Sequence, residues 1–382
     1  MSGKQTPPAY STRTEQRELC EHARPVSANS ATLRGGERRF GTVNPAVFLQ
    51  TQAVCRPKLC QKVALLIGSM LAQVGAEAAP FAYIANRTDG TVSIIDLASD
   101  TVLGNPIAVG NGPVGVALNP KRSRVYVTNS DDGTVSVIET SNNTVVGDPI
   151  VVGTSPLGMA VNPSGSRVYV ANSGSQSVSV INATTNSVVG SPIAVPGMVR
   201  GIAVSLSGAQ VYAASSDAVY VIDAASNTAT VFTNQLGAGV WGIAVDSTQV
   251  YFADSTTGHA YAYPIAGGGA TTLLSGDLGV AGIAIDDLFV YAAVSSSGFI
   301  IKVSKFGGTP APLASLAPSQ PAGLALNGDY VYVPDPQGNS VSKISKAGGL
   351  PTSIIVGQGP ASFGNFIGDN VDFIFSDGFD GP

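Results

Sequence analysis

Beyond residue 78 this chain holds one histidine, His259, one glutamate, Glu139, and no cysteine. A Ser-His-Asp device would have to be built on His259, because no other imidazole is there to take the serine proton. That residue follows Thr256-Thr257-Gly258, in register with the turn sequence Asp131–Gly133 of an earlier segment. The register predicts an exposed hairpin histidine, set away from any central axis. Glu139 ends a β-rich run and is expected to be a solvated charge. No His/Cys cluster has the spacing of a zinc or copper site. Asp131-Asp132, Asp286-Asp287 and Asp335 fall in turn sequences, where a carboxylate ordinarily accepts backbone hydrogen bonds. Acid–base and metal chemistry are poorly supplied, so the expectation is a protein that is not an enzyme and carries no metal or cofactor.

The elements that position these residues come from a repeat. Gly115, Gly158, Gly201, Gly242, Gly282, Gly323 and Gly364 recur at steps of 43, 43, 41, 40, 41 and 41 residues. Each opens a short apolar stretch, from GVALNP at Gly115 to the degenerate GNFIGD at Gly364. Self-similarity near 40–50 residues marks a β-propeller with one four-stranded blade per repeat. One repeat, Pro113 to Gly153, contains four β-rich runs separated by Asn119-Pro120, Asp131-Asp132-Gly133 and Asn142-Asn143. No stretch of the repeats has helical periodicity. The fold class is all-β, a propeller of antiparallel blades. Small residues alternate in the first run of each repeat, as in Gly242-Ile243-Ala244-Val245, which suits crowding around an axis. A tyrosine recurs in the second run at Tyr126, Tyr169, Tyr212, Tyr251, Tyr291 and Tyr332, and is read as a packing residue whose hydroxyl needs a partner.

Tyr126-Val127-Thr128-Asn129 and the near match Tyr169-Val170-Ala171-Asn172 resemble the YVTN family of β-propeller repeats. The resemblance is strong over residues 81–206. From about 248 to 356 the repeats drift, with Gly267-Gly268-Gly269, Gly307-Gly308 and Gly348-Gly349 preceding the outer run. The family includes surface, periplasmic and enzymatic members, so the resemblance implies the fold far more than an activity.

An open ring would leave unpaired strand edges. The first blade sequence begins in the middle, at Phe81-Ala82-Tyr83-Ile84-Ala85-Asn86, which aligns with second strands. Thr91–Leu97 and Pro106–Val109 supply a third and a fourth strand. Pro360–Gly368 supplies an innermost strand with no complete blade after it. Three N-terminal strands and one C-terminal strand therefore close a seventh blade, and the propeller spans 79–370.

Residues 56–78 read as a secretory signal peptide: Arg56, Lys58 and Lys62, then an apolar run from Val63 to Ala76, then Ala76-Glu77-Ala78 as a cleavage site. The run is shorter than the ~20 residues a spanning helix needs. Residues 1–55 read as a non-structural leader or as sequence upstream of the true start. Residues 371–382 form a tail resembling the aromatic endings of exported Gram-negative proteins, either a sorting tag or an extra edge strand. Cys20, Cys55 and Cys60 all precede the cleavage site. The remainder carries ten basic and twenty acidic side chains, a formal charge of −10. That argues against nucleic acid or anionic lipid as the main partner.

Two rings of aligned positions could carry binding. The inner runs end at Asn119, Asn162, Ser205, Asp246, Asp286 and Asn327, which could make a polar ring for a cation or simply form turns. The residues before the marker glycines are Val114, Leu157, Arg200, Trp241, Ala281, Ala322 and Phe363. Arg200, Trp241, Phe363 and Leu157 would then share one axial mouth, suited to a sugar, an acidic group or a peptide loop. The alternative is that they plug a narrow channel. The expected function is an exported scaffold, monomeric, that binds a protein, glycan or envelope component through one face. The competing reading is a lactonase- or lyase-like propeller enzyme.

Overall fold

The computed structural model describes residues 80–234, 239–276, 279–321, 323–362 and 366–367. The leader, the signal segment, the tail, Ala322, Phe363 and Gly364 lie outside the described residues. Within them the chain forms seven antiparallel sheets and no helix. Blade 1 shows the plan: an inner strand Pro113–Leu118, then Arg124–Asn129 and Thr134–Glu139, and an outer edge. Blades 2 to 6 repeat it with inner strands Pro156–Val161, Gly201–Val204, Val240–Val245, Val280–Ile285 and Ala325–Asn327. Consecutive inner strands lie against one another from blade to blade.

Second strands are buried on both faces, as strands sandwiched between neighbouring sheets must be. Their tyrosines, with Tyr83 as a seventh, are at most 1% exposed. Hydroxyls of Tyr83, Tyr251 and Tyr291 donate to Asn143 Oδ1, Asp246 Oδ2 and Asp286 Oδ2 at 2.9–3.0 Å. The neighbouring letters of the motif are polar clips. Asn129 Nδ2 donates to Thr134 Oγ1 and Ser136 Oγ while its Oδ1 accepts from Gly110 N, tying the incoming connector to the blade. Asn172 repeats this with Ser177, Ser179 and Gly153. Thr128 Oγ1 accepts from Gly115 N and donates to the Leu157 carbonyl of the next blade. A fully buried amide or hydroxyl without such partners would be costly.

Closure follows the expected plan. Phe81–Asn86, Thr91–Asp96 and Thr101–Ala108 form a three-stranded sheet. The C-terminal run pairs with its first strand through antiparallel bridges Ala82↔Ile367 and Asn86↔Pro360. Tyr83 N donates to Phe366 O, Ala361 N to Ala85 O, and Ala85 N to Ser362 Oγ. The Ser362 hydroxyl thus supplies one of the links along this seam. Phe366 and Ile367 are buried in a cluster that also holds Tyr332 and Val341 of blade 6 and Val116 and Val127 of blade 1. The chain enters at Pro80 and leaves at Ile367 on the same end of this blade, opposite the end where Pro360 meets Asn86.

Two expectations need correction. The outer edge of blade 1 is split into Thr144–Val145 and Ile150–Val151, both pairing with the third strand. Blade 2 does the same with Ser187–Val188 and Ile193–Ala194. The fourth strand of the closing blade begins at Thr101, five residues before Pro106.

The drift of the later repeats has a physical counterpart in how blades are stapled. Arg124 Nη1 donates to Ala183 O and Arg167 Nη1 to Ala224 O, each reaching the following blade. From blade 4 onward lysine–aspartate pairs take this place: Lys305–Asp246 at 2.9 Å, Lys346–Asp286 at 3.3 Å and Lys343–Asp100 at 2.7 Å.

Candidate functional site

The mouth is built from the residues that precede the marker glycines. A Cβ on Gly115 would collide with the Leu157 carbonyl oxygen, one on Gly158 with that of Arg200, one on Gly201 with that of Trp241, and one on Gly242 with that of Ala281. Glycine is thus required because the carbonyl before the next marker abuts it. The same contact fixes the backbone of each mouth residue. Arg200 is held from both sides, its N–H donating to Ala214 O and its carbonyl accepting from Gly158 N.

Val114 and Ala281 are buried, while Leu157, Arg200 and Trp241 are half-exposed at the opening. The Arg200 guanidinium lies 4.4 Å from the centroid of the Trp241 ring, so a cation from blade 3 stacks on an indole from blade 4. Such a pair is worth about 0.5–2 kcal/mol, more as water is excluded. Burial pushes the Arg200 guanidinium below the usual arginine range, although it stays charged. Its Nη1 is buried without a hydrogen-bond partner among the described residues. Leu157 lies beside this pair; Phe363 is outside the described residues.

Behind the mouth the inner strands enclose a cavity of about 310 Å³. Its walls include Leu157, Met159, Ile202, Val204, Ile283 and Leu326. Among the described lining residues Arg200 is the only charged side chain. The aligned side chains therefore rim an apolar shaft. Alignment to the marker glycines is enough to bring Arg200 and Trp241 together; it cannot reveal the free volume, which depends on the ring's radius.

The inner-strand ends at the other face are turn formers. Asn119 Oδ1 accepts from Arg124 N, Asn162 Oδ1 from Ser166 N and Arg167 N, and Ser205 Oγ from Gln210 N. Asp246 Oδ1 accepts from Thr248 N and Gln249 N, and Asp286 Oδ1 from Leu288 N and Phe289 N. The aspartates' other oxygens meet lysine and tyrosine from the blade interfaces. Burial alone would raise Asp246, but Lys305 and the two backbone donors outweigh it and hold the carboxyl at about 2. A depressed carboxyl stabilises the fold fully above its unfolded value of ~3.9, and the contribution is lost as pH falls towards the folded value. Lys305 Nζ belongs to a side chain only 7% exposed. Asp246→Asn should therefore cost about 3 kcal/mol at pH 7, because it strands that ammonium. Melting curves taken down an acid series should show parent and variant converging as the pH drops through the window between those two values; parallel curves would show that the pair contributes nothing.

His259 is not an exposed turn residue. It is half-buried, opens the third strand of blade 4, pairs in register with Asp254, and stacks on Tyr261 with centroids 5.5 Å apart. Its place matches that of Thr134, which opens the third strand of blade 1 directly after Gly133. It remains two strands outward from the inner strand that carries Trp241. Glu139 ends its strand as expected and lies 3.6 Å from Arg124 Nε, a partly screened pair. Among the described residues no group of three or more His, Cys, Asp or Glu could hold a metal ion.

No protein-family pattern and no curated protein sequence matches the chain. Solved structures do. The hydrazine synthase of Kuenenia stuttgartiensis superposes with a TM-score of 0.62 at 19% identity, covering 69% of this chain and 91% of that one. The periplasmic gluconolactonase of Pseudomonas aeruginosa gives 0.60 at 15%, covering 74% and 98%. Virginiamycin B lyase of Staphylococcus aureus gives 0.59 at 12%, covering 69% and 90%. Identities this low carry the architecture and not the chemistry. What the chain shares with these proteins is the β-propeller fold.

Proposed function

We propose that this protein is an exported, non-catalytic propeller of YVTN type that binds an envelope component through its axial mouth. The observation behind the reading is the Arg200–Trp241 stack at the opening of an apolar cavity whose described lining has no other charge. Tryptophan and arginine at a desolvated centre are the residue types that dominate binding energy. The signal-like segment at 56–78 and the YVTN repeats support export.

The test is capture from an envelope extract by the purified propeller. Arg200→Ala and Trp241→Ala should each weaken capture by about 30-fold, the effect of a ~2 kcal/mol hot spot. His259→Ala and Glu139→Ala should leave it unchanged. Native protein taken for this experiment should begin at Ala79 by intact mass. Capture that survives both mouth substitutions would move the site to the outer loops. A second reading, an enzyme, draws on the lactonase and lyase among the structural neighbours. Lactone hydrolysis lost in His259→Ala would establish it in place of the first.

A further inference from the structure

The cavity walls limit what can enter. A sugar or peptide inserted into the shaft would carry hydroxyls or amides past Met159, Ile202, Val204, Ile283 and Leu326, none of which can hydrogen-bond them. A polar group that met none of the backbone groups in the wall would go unpaired, at a cost of about 1–3 kcal/mol. An apolar chain loses nothing there. At the opening the demand reverses, because Arg200 has no carboxylate partner among the described residues and its Nη1 is unsatisfied. Its face is taken up by the indole and its Nη1 is closed off, which leaves the remaining guanidinium N–H donors for an anion. One fixed cation matches one negative charge.

Resting on the reading of the mouth as a binding site, we propose that its ligand is an unbranched aliphatic carboxylate, the acyl chain in the shaft and the carboxylate on Arg200. The chain is recognised by burial and the head by a charge-assisted hydrogen bond. At about 310 Å³ the cavity stands at the small end of ligand sites, in keeping with a single chain rather than a multi-chain lipid.

Trp241 is the only tryptophan in the sequence, so its fluorescence reports on the mouth alone. Purified protein is titrated with butanoate, hexanoate, octanoate and decanoate, with decanol and octyl phosphate alongside, reading tryptophan emission and heat. Affinity should tighten about fourfold per added methylene, the worth of a buried CH₂, until the shaft is full. Decanoate should bind about tenfold or more tighter than decanol. Arg200→Gln should erase that preference while keeping decanol affinity, and Arg200→Lys should restore part of it. A flat chain-length series, or equal affinity for decanol and decanoate in the parent, overturns the proposal. Octyl phosphate binding tighter than octanoate overturns the carboxylate and names a phosphate head instead. If no carboxylate binds and yet the mouth substitutions abolish envelope capture, the ligand class falls while the binding reading stands. If decanoate binds as described and capture ignores both substitutions, the ligand class stands and the envelope partner does not use the mouth.

Discussion

A chain ending at Gly359 is expected to lose about 3–6 kcal/mol, the worth of burying the Phe366 and Ile367 side chains alone. That is a large share of the 5–15 kcal/mol by which a folded domain exceeds its unfolded state. The loss extends beyond two side chains. Without 360–367 the first strand of the closing blade has an unpaired edge, and Ala82 to Ala85, now fully buried, face the axis uncovered. The cluster binding blade 6 to blade 1 runs through these residues, so the damage spreads to both neighbours. In a ring where each blade contacts only the next, breaking one interface opens the whole circuit. Calorimetry should show a lower and broader unfolding transition. A truncated protein melting like its parent would mean the seam holds without these bridges.

The second large effect concerns Gly115. Gly115→Ala should destabilise by about 3 kcal/mol and lower the melting temperature by about 5 °C. Reduced freedom of the unfolded chain would favour alanine by about 0.4–1 kcal/mol. The clash wins because the obstacle is the Leu157 carbonyl, which cannot rotate aside as a side chain could. Relief requires blades 1 and 2 to move apart, breaking the Thr128 Oγ1 link to that carbonyl. Gly269→Ala is the control, since an added Cβ there meets nothing within 4 Å. Equal effects at the two positions would remove the carbonyl abutment as the reason for the marker glycines.

These contacts explain how much of the molecule is legible in the sequence. The tyrosine recurs because each blade buries the same ring, and the glycine because a neighbouring carbonyl abuts it at Gly115, Gly158, Gly201 and Gly242, so their spacing carries the architecture of the ring. Arg200 and Trp241 are legible as neighbours because the repeat maps sequence position onto angular position about the axis. What stays hidden depends on partners one blade away. Nothing near Asp246 in sequence announces Lys305, 59 residues on, which turns an ordinary turn aspartate into half of a buried ion pair. The split outer edges are equally hidden, because two-residue strands are too short to show a period. His259 departs from expectation for a smaller reason: the residue after the turn glycine already belongs to the next strand, as Thr134 does in blade 1.

The seam also determines how the molecule can be hung. Pro80 and Ile367 sit together at one end of the closing blade, and the inner strands open towards the mouth from the other. A tether attached before residue 80 or after residue 367 therefore pulls on the face away from Arg200 and Trp241. An anchored propeller would turn its mouth outward from whatever holds it. The same geometry keeps the opening clear when the protein is immobilised through a residue beside Pro80 or Ile367.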